Sequence, residues 1–307
     1  MTVLTISSTS CVNSTGVIYN WLIEHPVFAK LVQVSENAVF TLDGRIIGLL
    51  ACAMTDVTYE QPLNERVRTL MRLEHLFDQV DHSLSTSSAW DSRNTIVALL
   101  DILQTTNRAD LKTEIIKEFD RLSANLAPLS KSPDIDQHAL RRILDDIQQL
   151  VQQWHSLHGL IAQNLRDNEF INSIRQRCAV PGGTSDFDLP LFHCWLQQPD
   201  DARQAELRRW LKEFELLRKT VELILELIRE SARPKHLTAH GGFYQQPLDT
   251  NAPFQMIRVK IPADSGYYAE ISGGKHRITI RFMNIATDGR PGQTEQDVDF
   301  ILTNCVI

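Results

Sequence analysis

Lys275, Arg277, Thr279 and Arg281 alternate with His276, Ile278, Ile280 and Phe282 near the end of this 307-residue chain. In an extended strand that alternation sets three cations and a hydroxyl on one side and mainly apolar side chains on the other. Three cations in a row cannot neutralise one another, and planar arginine forks suit carboxylates. An ordinary solvated sheet face would show the same pattern. A second cationic line, Arg68, Arg72 and His75, recurs at i, i+4 and i+7, which is one stripe of a helix. Taken alone it too describes a solvated face. His193 lies between Phe192 and Trp195 in a short apolar stretch, where a hydrogen-bonded core histidine is the simplest reading. Together the three features suggest a local anion site for a partner peptide.

Enzyme signatures fail in turn. Ser272-Gly273-Gly274-Lys275 resembles the end of a phosphate-binding loop, but Ala269 replaces the leading glycine. His276 stands where a magnesium-binding hydroxyl belongs. The same residues match S-x-x-K without its partner motifs, so a strand-to-strand turn is the better reading. His155 and His158 are three apart, but no H-E-x-x-H or Cys/carboxylate cluster accompanies them, and a solvated helix face is favoured. Cys178 and Cys194 sit among apolar neighbours and read as buried small hydrophobes. No G-x-S-x-G or G-x-G-x-x-G occurs. No catalytic residue, metal or cofactor is expected. The competing reading is a small-molecule anion enzyme or sensor using the same arginines and His193.

The elements that would position these residues follow from pattern. Thirty-one Lys and Arg against 38 Asp and Glu give a net charge of −7, which counts against nucleic-acid partners. Five scattered cysteines without C-x-x-C point to a reducing compartment. The longest apolar run, Ile46 to Met54, is far short of the roughly 20 residues a bilayer requires. No Lys or Arg precedes Lys30, so the basic start of a secretory signal is missing. A soluble, intracellular protein without a membrane partner is expected.

Residues 1–56 lack a clean helical period and are expected to lie outside the fold, with Met54 a possible true start. Val57 and Tyr59 alternate as a short strand does, and Pro62 marks the start of a helix. Leu63, Val67, Leu70, Leu73, Phe77 and Val80 then recur at helical spacing. Further apolar stripes follow: Leu99 to Leu103, Leu111 to Leu126, and Leu140 to Leu157 with Asp134 as its N-cap. Helices are expected near 168–178, 188–198, 201–214 and 216–231, with a loop at Val180-Pro181-Gly182-Gly183. After Pro234 the period becomes two, over Met256 to Ile261, Tyr267 to Ile271, Arg277 to Met283 and Val298 to Leu302. The expected class is α+β, with a helical domain over 57–234 and a small antiparallel β domain over 235–307.

Two stretches carry a family resemblance. Tyr59-Glu60-Gln61-Pro62-Leu63-Asn64-Glu65-Arg66-Val67-Arg68 resembles the N-terminal signature of the bacterial cell-division family ZapD. Arg175-Gln176-Arg177, Pro181-Gly182-Gly183 and Phe187-Asp188-Leu189-Pro190, with His193 and Trp195, resemble its central signature. Gly242-Phe243-Tyr244-Gln245 and the residues from Ile271 to Met283 extend the likeness into the β domain. The resemblance implies a cytoplasmic, non-enzymatic protein of the mid-cell division ring, a symmetric homodimer that binds the C-terminal tail of FtsZ. FtsZ is the tubulin-like GTPase whose filaments form that ring. The tail-binding residues it implies are Arg72, Arg108, His193, Arg277 and Arg281, and Lys275 joins them on the strand pattern. At one step the chain departs from the family, because Glu169 stands where a second basic residue is usual. That corner of the site is expected to move to Arg166.

Overall fold

The computed structural model describes residues 56–307 apart from positions 87, 109, 132–135, 251, 275 and 286–288. The expectations for residues 1–55, for Asp134 and for Lys275 therefore lie outside the described residues. In chain order the elements are β1 (Asp56–Pro62), α1 (Glu65–Leu84), α2 (Ala89–Thr105), α3 (Leu111–Leu126) and α4 (Gln137–Ser156). Next come α5 (Gln163–Arg166), α6 (Glu169–Cys178), α7 (Pro190–Leu196), α8 (Asp200–Leu211) and α9 (Glu215–Arg229). The remainder is β2 (Lys235–Ala239), β3 (Phe243–Pro247), β4 (Phe254–Pro262), β5 (Tyr267–Gly273), β6 (Arg277–Asn284) and β7 (Val298–Val306). All strand pairs are antiparallel, so the class is α+β as the pattern implied.

Two compact units alternate along the chain. Of the described residues, one takes those up to Leu63, Pro128–Arg141 and Leu227–Ile307; the other takes Asn64–Ala127 and Arg142–Glu226. β1 thus belongs with the sheets, and Asp56, grouped above with the extension, opens it. Its ladder runs along β4, from Asp56 opposite Pro262 to Pro62 opposite Met256. Hydrogen bonds between segments so far apart in sequence leave no mark in local periodicity, which is why a single boundary near 235 misses them.

In the sheet unit the strand orders are β1-β4-β7-β2 and β3-β6-β5. The two sheets pack face to face. The Phe300 ring of β7 lies 5.2 Å from Phe282 of β6 and 5.3 Å from Tyr244 of β3. Ile257, Val259 and Ile261, then Ile278, Ile280 and Phe282, then Val298, Phe300 and Leu302 all face this core, as strict alternation requires. Glu60 of β1 is mostly buried between Arg229 at 2.8 Å and Arg258 at 2.7 Å. Burial pushes its pKa up, but hydrogen bonds and charge from Arg229 and Arg258 outweigh that and leave it below the usual carboxylate value.

In the helical unit, α1 begins later than the position of Pro62 suggests. Pro62 is the last rung of β1, and Asn64 caps the helix by accepting the Val67 N–H at 2.9 Å. Val67, Leu70, Leu73, Phe77 and Val80 form its buried stripe, and α1 packs against α2, whose Leu99 and Leu103 are buried as well. Trp154 of α4 is fully buried and its Nε1 donates to Thr220 Oγ1 of α9 at 2.8 Å. Phe170, Phe192, Trp195 and Trp210 cluster with ring centroids about 6 Å apart, tying α6, α7 and α8 together. At the start of α4, Asp136 accepts the N–H groups of His138 and Ala139 at 2.8 and 3.2 Å.

Candidate functional site

β6 is the central strand of its sheet, so both of its hydrogen-bonding edges are occupied. Ile278, Ile280 and Phe282 have no exposed surface, which fixes the register, because a slip of one residue would bury the arginines. Arg277 and Arg281 therefore stand exposed on the outward face, with half-buried Thr279 between them. Across the ladder Arg281 is flanked by Phe243 and Glu270, Thr279 by Gln245 and Ser272, and Arg277 by Pro247. Among the described residues neither Arg277 nor Arg281 has a carboxylate oxygen within 4.0 Å. An open groove follows this face, lined by Glu270, Ser272, Gly274, His276, Arg277, Thr279 and Arg281. Gly273 sits at its wall, where a Cβ would come within 2.2 Å of Leu63 Cδ2. Ser272 and Gly273 are the last two residues of β5, paired with Thr279 and Ile278 of β6, and not part of a phosphate loop.

The cations of the helical unit are differently placed. Arg68 and Arg72 reach the Glu65 carboxylate at 3.3 and 3.8 Å, so the stripe on α1 is partly neutralised within its own first turns. Arg108 pairs with Asp110 at 3.1 Å and Glu114 at 3.4 Å. The Asp110 hydrogen bond, then the charge of Glu114, raises its pKa, and Glu65 adds to the same field. Glu65 is thus a common neighbour of Arg72 and Arg108.

His193 is a correction to the core reading: it is exposed on α7 while Phe192, Trp195 and Leu196 turn inward. Its ring has no hydrogen-bond partner among the described residues. Cys178 and Cys194 are likewise exposed, not buried. Seven residues make only two helical turns, too few for composition to say which side faces solvent. His155 stands in the last turn of α4, which ends at Ser156, and His158 lies beyond it, so the two share no helix face.

Arg166, to which that corner is expected to move, is engaged within its own unit. Its guanidinium donates to the carbonyls of Ile161 and Leu103, each at 2.9 Å, and to Thr106 Oγ1 at 2.8 Å. The bond to Leu103 satisfies a carbonyl in the last turn of α2, where helical N–H partners run out. Glu169 is the first residue of α6, behind the Asn168 cap, and an acidic side chain there complements the helix dipole.

One surface escaped the sequence reading. The Arg93 guanidinium of α2 lies 5.2 Å from the Trp90 ring and 5.0 Å from Phe192, and donates to the Thr184 carbonyl at 2.8 Å. Trp90 remains 71% exposed, Leu191 65% and Phe187 81%. Its only sequence signal is Trp90 in the first turn behind the Ser88 cap, an unusual place for a large ring. Among the described residues no group of His, Cys, Asp and Glu is arranged to hold a metal, and no helix is long and apolar enough to cross a membrane.

A family model described as ZapD, cell division protein, matches residues 71–281, more than half of the chain. A cell division protein ZapD of Methylococcus capsulatus is 42% identical over 251 residues, covering 82% of this chain and 98% of the relative. Those of Coxiella burnetii and Cupriavidus necator are 38% and 37% identical, covering 82% and 81% of this chain and 99% of each relative. The strands, helices and cationic faces described above are therefore those of a member of the ZapD family of cell division proteins.

Proposed function

We propose that this protein is a non-enzymatic adaptor that binds the C-terminal tail of FtsZ and cross-links FtsZ filaments, promoting assembly of the division ring. The observation that carries this reading is the pair Arg277 and Arg281, exposed on one strand face with no carboxylate oxygen of the described residues within 4.0 Å of either, although Glu270 stands across the ladder from Arg281. In a chain with net charge −7 such a pair is a local exception, and two guanidinium forks suit the carboxylates of an acidic segment. Arg72, Arg108, Lys275 and His193 are proposed as further contacts. Arg72 and Arg108 already have acidic neighbours, so a ligand carboxylate would compete with Glu65, Asp110 and Glu114 for them.

The adaptor acts as a homodimer in this reading. A two-fold axis duplicates every tail-binding surface, and capture of a second tail is then intramolecular. Each tail loses conformational freedom on binding, so single-site affinity falls in the micromolar range while filament capture is tighter. The protein works in the cytoplasm at the mid-cell ring. Sedimentation of FtsZ filaments with the full-length protein tests the proposal. Bundled filaments should pellet at low speed with the protein, whereas FtsZ lacking its tail should not. Equal pelleting of tailed and tailless filaments would refute it.

A further inference from the structure

The geometry of β6 says more than that its ligand is acidic, and the inference rests on the reading of this face as the tail-binding surface. β6 is flanked by β3 and β5, so its backbone groups are engaged and a ligand cannot join it as an added strand. Recognition over this strand must run through side chains standing up from the sheet. Arg277 and Arg281 are four residues apart, and at about 3.3 Å per residue their bases lie about 13 Å apart. Thr279 stands midway, in a polar row with Gln245 and Ser272.

With both side chains raised straight from the sheet, a ligand that meets both guanidinium groups offers carboxylates at about that separation. In an extended chain, residues i, i+2 and i+4 share a face and span the same distance. In a helix, which rises about 1.5 Å per residue, acids four apart lie only about 6 Å apart along the axis. A helical ligand would need them about eight or nine positions apart. The register of the strand under the groove is pinned by three fully buried side chains, so the two arginine positions cannot shift by slipping. We infer that the outward face of β6 reads an extended acidic peptide with carboxylates four residues apart and a hydrogen-bonding side chain midway, over Thr279.

The test uses the full-length protein and labelled peptides of identical composition in which two Asp residues are set two, four or six positions apart. β-branched neighbours keep the peptides extended, and binding is read by fluorescence anisotropy. The four-residue spacing should bind about five- to tenfold more tightly than either alternative, since only it makes both charge-assisted contacts. Arg277→Gln or Arg281→Gln, with an unchanged melting curve, should bring the three peptides to a common weaker affinity. If an FtsZ tail peptide loses affinity in both variants yet the three spacings bind alike to the parent protein, the spacing rule is wrong although the surface stands. If the FtsZ tail is indifferent to both variants, the reading of the surface itself is wrong, and the spacing rule falls with it.

Discussion

The amide of Phe282 donates a 2.8 Å hydrogen bond to the carbonyl of Gly242, at a position where a glycine is required. Gly242 has a φ of +67°, and a Cβ there would lie 2.6 Å from both the Cγ2 and the carbonyl oxygen of Thr294. The bond fixes the strand beside Arg281, so this turn helps to hold one of the two exposed guanidinium groups in place.

Gly242→Ala is therefore expected to destabilise the protein by about 2–3 kcal/mol, combining an unfavourable positive φ with a backbone clash. Denaturant unfolding checks this; a midpoint within error of the parent protein would show that the turn relaxes freely.

Glu60→Gln should cost about 2–3 kcal/mol at neutral pH, because it leaves Arg229 and Arg258 without their shared carboxylate. The folded pKa of Glu60 lies below its ordinary 4.5. Between those two values the unfolded chain binds more protons, so the Glu60 contribution is full above about pH 4.5 and is lost as pH falls through the folded value. The stability difference between parent and variant should shrink accordingly below that pH. A difference that stays constant down to pH 3 would contradict the assignment.

Arg166→Ala should lower stability by about 2 kcal/mol, since the Leu103 and Ile161 carbonyls lose a charged donor. Arg166→Lys should not restore it, because one ammonium cannot span the same acceptors. Binding of an FtsZ tail peptide by the folded fraction should be unchanged. Impaired peptide binding at full stability would instead place Arg166 in the binding surface.

Thiol labelling of the folded protein should modify Cys178 and Cys194 while sparing Cys305, which is fully buried and whose thiol is pushed up to about 12 by burial. Peptide mapping by mass spectrometry reads the outcome. Labelling of Cys305 at the rate of Cys194 would mean that the sheet core opens readily.

The outward face of β6 was legible because period two is a local signal: Ile278, Ile280 and Phe282 announce their buried side without help from the rest of the chain. The long helices were legible for the same reason, through stripes such as Val67 to Val80. β2 and β3 were not. Only Ala239 of β2 is fully buried, and Phe243 of β3 faces outward, so neither carries an alternating pattern, and both are defined by ladders to β7 and β6. His193, Cys178 and Cys194 were misplaced because short helices do not declare their buried side. The role of Arg166 was invisible because its acceptors, Leu103 and Thr106, lie about sixty residues away.

The most direct test of the central claim is titration of an FtsZ tail peptide into the Arg277→Glu, Arg281→Glu double variant. The variant should melt as the parent does, since each exposed strand position contributes no more than about 0.5 kcal/mol. Its affinity should fall at least about tenfold, from lost charge-assisted contacts and added repulsion. The parent's affinity should weaken as salt rises, while the variant's should weaken less steeply, because salt also screens the repulsion from the two new carboxylates. Unchanged affinity in a folded double variant would contradict the account.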